Sequence, residues 1–196
     1  LNGNLTSDGT QTYTYDFENR LVSATGPGLS ATYTYDGPGR RVQKVVNGLT
    51  TRFLYDGHQV LAETNSSGVV TATYVSGPGL DELLTMSRGG QTYYYFADGL
   101  GSVSELTNAA GEVIESYTYD VYGAPAVPSS VGNPYLFTGR EYDAETSLYY
   151  LRARYYSSAI GRFLQRDPLG DLPDVNLYRY VQNNPVNWID PWGLMR

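Results

Sequence analysis

Apolar and polar positions alternate along most of this chain with the two-residue beat of a pleated strand. Tyr13, Tyr15 and Phe17 stand against Thr12, Thr14 and Asp16, which puts the rings on one face and the polar groups on the other. The pattern recurs as Tyr33-Thr34-Tyr35-Asp36, Phe53-Leu54-Tyr55-Asp56 and Tyr117-Thr118-Tyr119-Asp120, and the first three copies step by 20 residues. Gly-containing turn signals keep the same beat at Asn47-Gly48, Ser67-Gly68, Gly89-Gly90 and Ala110-Gly111, with steps of 20, 22 and 21. Each unit reads as strand, turn, strand. A lone hairpin of about twenty residues is marginal in water, so the units need lateral pairing in a continuous sheet. The predicted fold is all-β, a strip of sequential antiparallel hairpins. The Asp of each Tyr-Asp pair is read as a turn residue, because Gly follows it in Asp36-Gly37, Asp56-Gly57 and Asp98-Gly99. The tyrosine ladder itself fits cross-strand packing, with a glycan-binding surface as its other use.

After the Pro-rich break at Ala124-Pro125-Ala126-Val127-Pro128 the repeat signal stops, and the first internal boundary is placed at about residue 124. Leu148 to Tyr156 reads as one strand with Tyr149, Leu151, Ala153 and Tyr155 on one face and Arg152 and Arg154 on the other. From Leu148 to Arg166 there are four arginines and no acidic residue. Leu177, Tyr178 and Val181 before Asn183-Asn184-Pro185 suit a single helical turn stopped by Pro. At the other end, Gly3-Asn4-Leu5-Thr6-Ser7-Asp8-Gly9 resembles the second half of a repeat, so the chain is read as a fragment with a sheet edge free to pair.

Composition narrows the function classes. With 196 residues, 41% hydrophobic and 14% aromatic, the chain can bury a core, and 20 Tyr with 22 Gly favour strands and tight turns. A net charge of −7 gives no general electrostatic reason to bind nucleic acid or an anionic membrane, and it makes internal ion pairs the better use of the arginine-rich stretch. There is no Cys, which excludes disulfides and thiolate metal sites. No apolar run is long enough to span a bilayer, and Leu1-Asn2-Gly3-Asn4 is not a signal peptide, so any export address lies outside this stretch. The single His, His58, follows Asp56-Gly57 in a turn and is assigned no role.

Candidate chemistry lies in two Asp-Pro-x-Gly units, Asp167-Pro168-Leu169-Gly170 and Asp190-Pro191-Trp192-Gly193, whose aspartates are 23 positions apart. Asp-Pro followed by Gly is an ordinary turn sequence in which the carboxylate caps backbone amides. The same pair, brought together by a folded segment, could share one proton and act as acid and base, the logic of an aspartic protease. Residue chemistry alone leaves both readings open and favours turns.

Larger motifs bear on that choice. Leu148-Tyr149-Tyr150-Leu151-Arg152-Ala153-Arg154-Tyr155-Tyr156, Gly161-Arg162-Phe163-Leu164, Arg166-Asp167-Pro168, Asn183-Asn184-Pro185 and Asp190-Pro191-Trp192-Gly193-Leu194 together resemble the repeat-associated core of the Rhs or YD-repeat family, which includes bacterial polymorphic toxins and toxin-complex C subunits. The resemblance covers essentially the whole chain. It departs at Gly99, where the family has His, and at Ser157-Ser158, where it has Asp-Pro.

The resemblance implies repeats over residues 1–123 that form part of a spiralling hollow shell, a plug or core over 124–194, and residues 195–196 as the start of a variable toxin segment. It implies an aspartyl autoprotease in which Asp167 and Asp190 act on the bond between Leu194 and Met195 while Arg166 holds a carboxylate or the scissile peptide. No metal and no cofactor are expected. The implied partners are the chain's own C-terminal effector inside the shell, the upstream repeats of the full-length protein, and a secretion-system or toxin-complex component. The implied setting is a secreted, cell-surface or delivered bacterial protein. A noncatalytic YD-repeat adhesin that binds glycans or proteins is the alternative.

Overall fold

A computed structural model of the protein describes residues 2–170 and 176–194. Among them, eleven strands pair antiparallel in strict sequence order. The first six are β1 (Thr12–Tyr15), β2 (Leu21–Gly26), β3 (Leu29–Tyr35), β4 (Arg41–Val46), β5 (Leu49–Asp56) and β6 (Gln59–Thr64). The rest are β7 (Val70–Ser76), β8 (Leu83–Arg88), β9 (Gln91–Ala97), β10 (Val103–Thr107) and β11 (Val113–Ser116). A second, four-stranded antiparallel sheet follows as β12 (Glu141–Asp143), β13 (Leu148–Leu151), β14 (Arg154–Ser157) and β15 (Arg162–Phe163). No helix of the described residues is long and apolar enough to cross a membrane.

The repeat sequence explains the strip. The turns that open at Asp36, Asp98 and Asp120 are capped in one way: Asp36 Oδ1 accepts the Arg40 N–H at 2.8 Å, Asp98 Oδ1 accepts those of Leu100 and Ser102, and Asp120 Oδ1 those of Tyr122 and Ala124. The alternate turns are tighter. Asn47 and Gly48 both have left-handed φ, 49° and 85°, the conformation of a two-residue hairpin turn that Asn-Gly adopts at little cost. The second Tyr of the later motifs bonds to the first residue of an earlier strand, since Tyr35 donates to the Leu21 carbonyl at 2.7 Å, Tyr55 to that of Arg41 at 2.9 Å and Tyr119 to that of Val103 at 2.6 Å. The first ring of each motif, in Tyr13, Tyr33, Phe53 and Tyr117, is buried. These rings are core, and a glycan-facing role does not fit them.

Leu148 to Tyr156 is a hairpin in place of the expected single strand, with Leu151 opposite Arg154 and a two-residue turn at Arg152-Ala153. Arg152 takes a φ of 54°, a conformation that no Gly or Asn announces in the sequence. The four residues expected on one face are therefore divided, and Tyr149 faces the same way as Tyr156, its partner across the hairpin. The expected helical turn before Pro185 is replaced by a tight turn at Val181–Asn183 whose three residues have left-handed φ of 37°, 57° and 60°, which a right-handed helical turn does not have.

Both faces of the small sheet are buried. Leu148, Tyr150, Tyr155 and Leu164 pack against Tyr13, Leu21, Ala24, Ala31 and Tyr33 of the first hairpins. Tyr149, Leu151, Tyr156 and Phe163 pack against Phe53, Tyr74, Met86 and Leu106 further along the strip. One continuous strip that covers both faces of a sheet must wrap around it.

The wrap is fastened by Arg41, which is fully buried on β4. Its guanidinium donates to Glu141 and Asp143 of β12 and to the Tyr155 hydroxyl at 2.8 Å, among the rings of Tyr33, Phe53, Tyr150 and Tyr155. Lys44 adds 2.8 and 3.0 Å contacts to Asp143 and Glu145. Burial pushes the Glu141 carboxyl up despite Arg41 beside it. Burial alone would do the same to Asp143, but Arg41 and Lys44 together hold it below the ordinary value of 3.8.

The stability that Asp143 contributes is full above 3.8 and is lost as pH falls through its lower folded value. Thermal midpoints followed down from about pH 6 should therefore show an acid loss that is shallower in Asp143→Asn. An equally steep loss in the variant would place the acid sensitivity elsewhere.

Candidate functional site

Each Asp-Pro-x-Gly unit is a turn, as its sequence indicates. Gly170 N–H donates to the Asp167 carbonyl at 3.2 Å and Gly193 N–H to the Asp190 carbonyl at 3.4 Å. In both, one carboxylate oxygen serves the turn: Asp167 Oδ1 accepts the Leu169 N–H at 2.8 Å, and Asp190 Oδ1 accepts the Leu194 N–H at 3.0 Å. The other oxygen of each turns inward to one atom. Arg154 Nη2 lies 3.3 Å from Asp167 Oδ2 and 3.7 Å from Asp190 Oδ2. One oxygen of each carboxylate thus serves its own turn, and the other faces Arg154.

The three charged groups are almost fully enclosed, with Arg154 at 1%, Asp190 at 2% and Asp167 at 3% exposure. Arg154 is placed by β14 and stacks its guanidinium 3.6 Å from the centre of the Phe163 ring on β15. Its Nη1 donates to the Leu177 carbonyl at 3.1 Å, and Asp167 N–H donates to the same oxygen at 3.0 Å, so the strand before the first aspartate and the segment after it are held together. Tyr180 is buried beside Asp190, and burial, with the Asp190 charge adding to it, pushes its phenol well up. A cavity of about 350 Å³ opens next to this cluster, and Pro168, Trp192 and Leu194 are among the residues that line it with Arg140, Arg152 and His58.

Of the residues singled out from sequence, Asp167, Asp190 and Leu194 come together. Arg166 is exposed, and its backbone N–H donates to Asn4 at 3.4 Å. Met195 lies outside the described residues. Arg154 was legible only as part of an arginine-rich stretch, in which internal ion pairs were the favoured role. Arg152 and Arg154 fulfil it, while Arg162 and Arg166 are exposed. His58 sits edge-on to Trp192 at 4.7 Å, a contact that joins a strip turn to the second Asp-Pro unit.

The teneurin YD-shell pattern matches residues 1–186. The chain belongs to that family. Among curated YD-shell relatives, it is 42% identical over 205 residues to the tRNA3(Ser)-specific nuclease WapA of Bacillus spizizenii, a match covering 98% of this chain and 9% of that protein. It is 34% identical over 113 residues to the double-stranded DNA deaminase toxin A of Burkholderia cenocepacia, covering 55% of this chain and 8% of that one. The crystal structure of TcdB2-TccC3-Cdc42 superimposes with a TM-score of 0.80 at 25% identity, over 98% of this chain and 10% of that one. This YD-shell chain therefore spans a tenth or less of the length of each of these relatives. The all-β strip of sequential hairpins is the architecture these shell structures share.

Proposed function

We propose that this YD-shell segment is part of the casing of a bacterial toxin and carries an aspartyl autoprotease that severs its own chain after Leu194, freeing the segment that follows. The observation that carries the reading is the meeting of Asp167 and Asp190 at Arg154, with Leu194 hydrogen-bonded to Asp190. In this reading the two carboxylates share one proton opposite the Arg154 guanidinium and act as acid and base together.

In the mechanism, the ionised carboxylate takes a proton from water as the water oxygen adds to the Leu194 carbonyl carbon. The protonated partner then gives its proton to the Met195 nitrogen as the C–N bond breaks. The products are a Leu194 carboxylic acid and a free amine. Arg154 positions the two carboxylates from between them, and Arg166, exposed on the residue before Asp167, is assigned to a carboxylate or the scissile peptide. Since the bond is in the same chain, its effective concentration is built into the fold, and a modest catalyst that works once is sufficient.

The relatives named above include a tRNA nuclease and a DNA deaminase toxin. A similar casing with different chemistries supports an effector that lies beyond this segment and that these residues do not specify. The proposed partners are that effector, the upstream repeats, and a toxin-complex subunit of the kind present in the TcdB2-TccC3 structures. Delivery outside the producing cell is the setting proposed with them.

Cleavage within one chain is first order. The half-time for cutting the chain, fused after Arg196 to a reporter domain, should be unchanged over about a hundredfold range of protein concentration. A half-time that lengthens on dilution would assign the cut to a second molecule.

A further inference from the structure

We infer that the Arg152-Ala153-Arg154 turn is the substrate-binding element of the cleavage site, and that it selects the bond by holding the three carbonyls ahead of Leu194. This rests on the autoproteolysis reading and adds to it a cause of specificity. The three carbonyls before Leu194 are taken in order by three consecutive residues of the turn. Arg152 Nη1 donates to the Pro191 carbonyl, Ala153 N–H to that of Trp192 at 3.2 Å, and Arg154 Nε to that of Gly193 at 2.5 Å. Side chains at two of these positions are gauged as well. Trp192 lies between the Arg152 guanidinium, 4.5 Å from its ring centre, and the His58 ring. Gly193 has a φ of 67°, and a Cβ there would run into the Leu151 carbonyl oxygen and the Arg154 backbone nitrogen.

The turn is itself held firmly. Asp81 binds Arg140 at 2.7 Å and Arg152 Nη2 at 2.5 Å, and Arg140 Nη2 donates to the Tyr150 carbonyl at 3.0 Å. Arg154 is thus shared between two tasks: Nε binds the Gly193 carbonyl while Nη2 meets the aspartates. A ruler of this kind counts backbone carbonyls and does not read the side chain of Leu194. It presents whichever residue follows Gly193 to the carboxylates, and Arg152 is a positioning residue in it.

The test inserts one Ala between Gly193 and Leu194 in the chain fused after Arg196 to a reporter domain, and reads the cut from the intact masses of the products. The parent should be cut after Leu194, and the insertion variant after the added Ala, so that the released fragment begins with Leu194. A cut that stays after Leu194 in the insertion variant, or no cut there while the parent is cut, overturns the ruler. Gly193→Ala should slow the parent reaction by about 10²-fold, the effect of a misplacement near 1 Å. Arg152→Ala should slow it similarly, with Arg152→Lys recovering part of the rate.

If the parent is not cut at all, the autoproteolysis reading fails by itself, and the ruler is judged by amide exchange. The Ala153 amide should then exchange about tenfold faster in Gly193→Ala than in the parent, while the Tyr149 and Tyr156 amides stay protected. Equal exchange at Ala153 in the two proteins overturns the ruler independently of activity.

Discussion

Asp167→Asn and Asp190→Asn should each leave both sheets folded and lower the rate of the cut after Leu194 by 10² or more, the scale of general acid and base catalysis. Asn separates the turn-capping role of each aspartate from the catalytic role proposed for it. Its amide oxygen still accepts the Leu169 or Leu194 N–H that the carboxylate Oδ1 accepts now, so the turn survives. Its amide nitrogen replaces the oxygen that faces Arg154 and can neither take a proton from water nor share one with the other carboxyl. A stability loss of about 1–3 kcal/mol for the weakened contact with Arg154 is expected and is small beside the effect on rate. Near-parental cutting in both single variants would mean that the aspartates are turn caps alone.

Arg41→Ala should have the largest effect on stability, about 3–5 kcal/mol, because it leaves Glu141 and Asp143 buried without their shared cation. The loss reaches beyond one ion pair, since Arg41 also meets the rings of Tyr33, Phe53, Tyr150 and Tyr155 at the point where the strip closes on the small sheet. Urea midpoints would measure it. Arg41→Ala combined with Glu141→Gln and Asp143→Asn should recover a good part of the loss, because the orphaned charges are then gone. A triple variant no more stable than the single one would show that Arg41 acts through packing and not through charge.

The repeats were legible because their signals are local. Tyr alternation, Asp caps and Gly turns each specify a feature within a few residues, and twenty-residue spacing places the hairpins in order. The hairpin at Arg152-Ala153 was less legible. Its mirrored Tyr149-Tyr150 and Tyr155-Tyr156 hint at it, but its turn carries no Gly, Asn or Pro, and the bond that fixes it, from Ala153 N–H to the Trp192 carbonyl, comes from far along the chain. Arg41 could not have been distinguished from Arg40 by pattern. One caps the Asp36 turn at the surface and the next is the buried fastener, a difference set by the small sheet packed against it. At the site, the two Asp-Pro units stood out as motifs, while the residue between their carboxylates, Arg154, is defined only by tertiary packing.

The most direct measurement is the intact mass of the purified chain fused after Arg196 to a reporter domain. The account predicts two products that meet between Leu194 and Met195, with one water added across them and Leu194 ending in a free carboxylate. A single uncut species, or products that meet at any other bond, would contradict it.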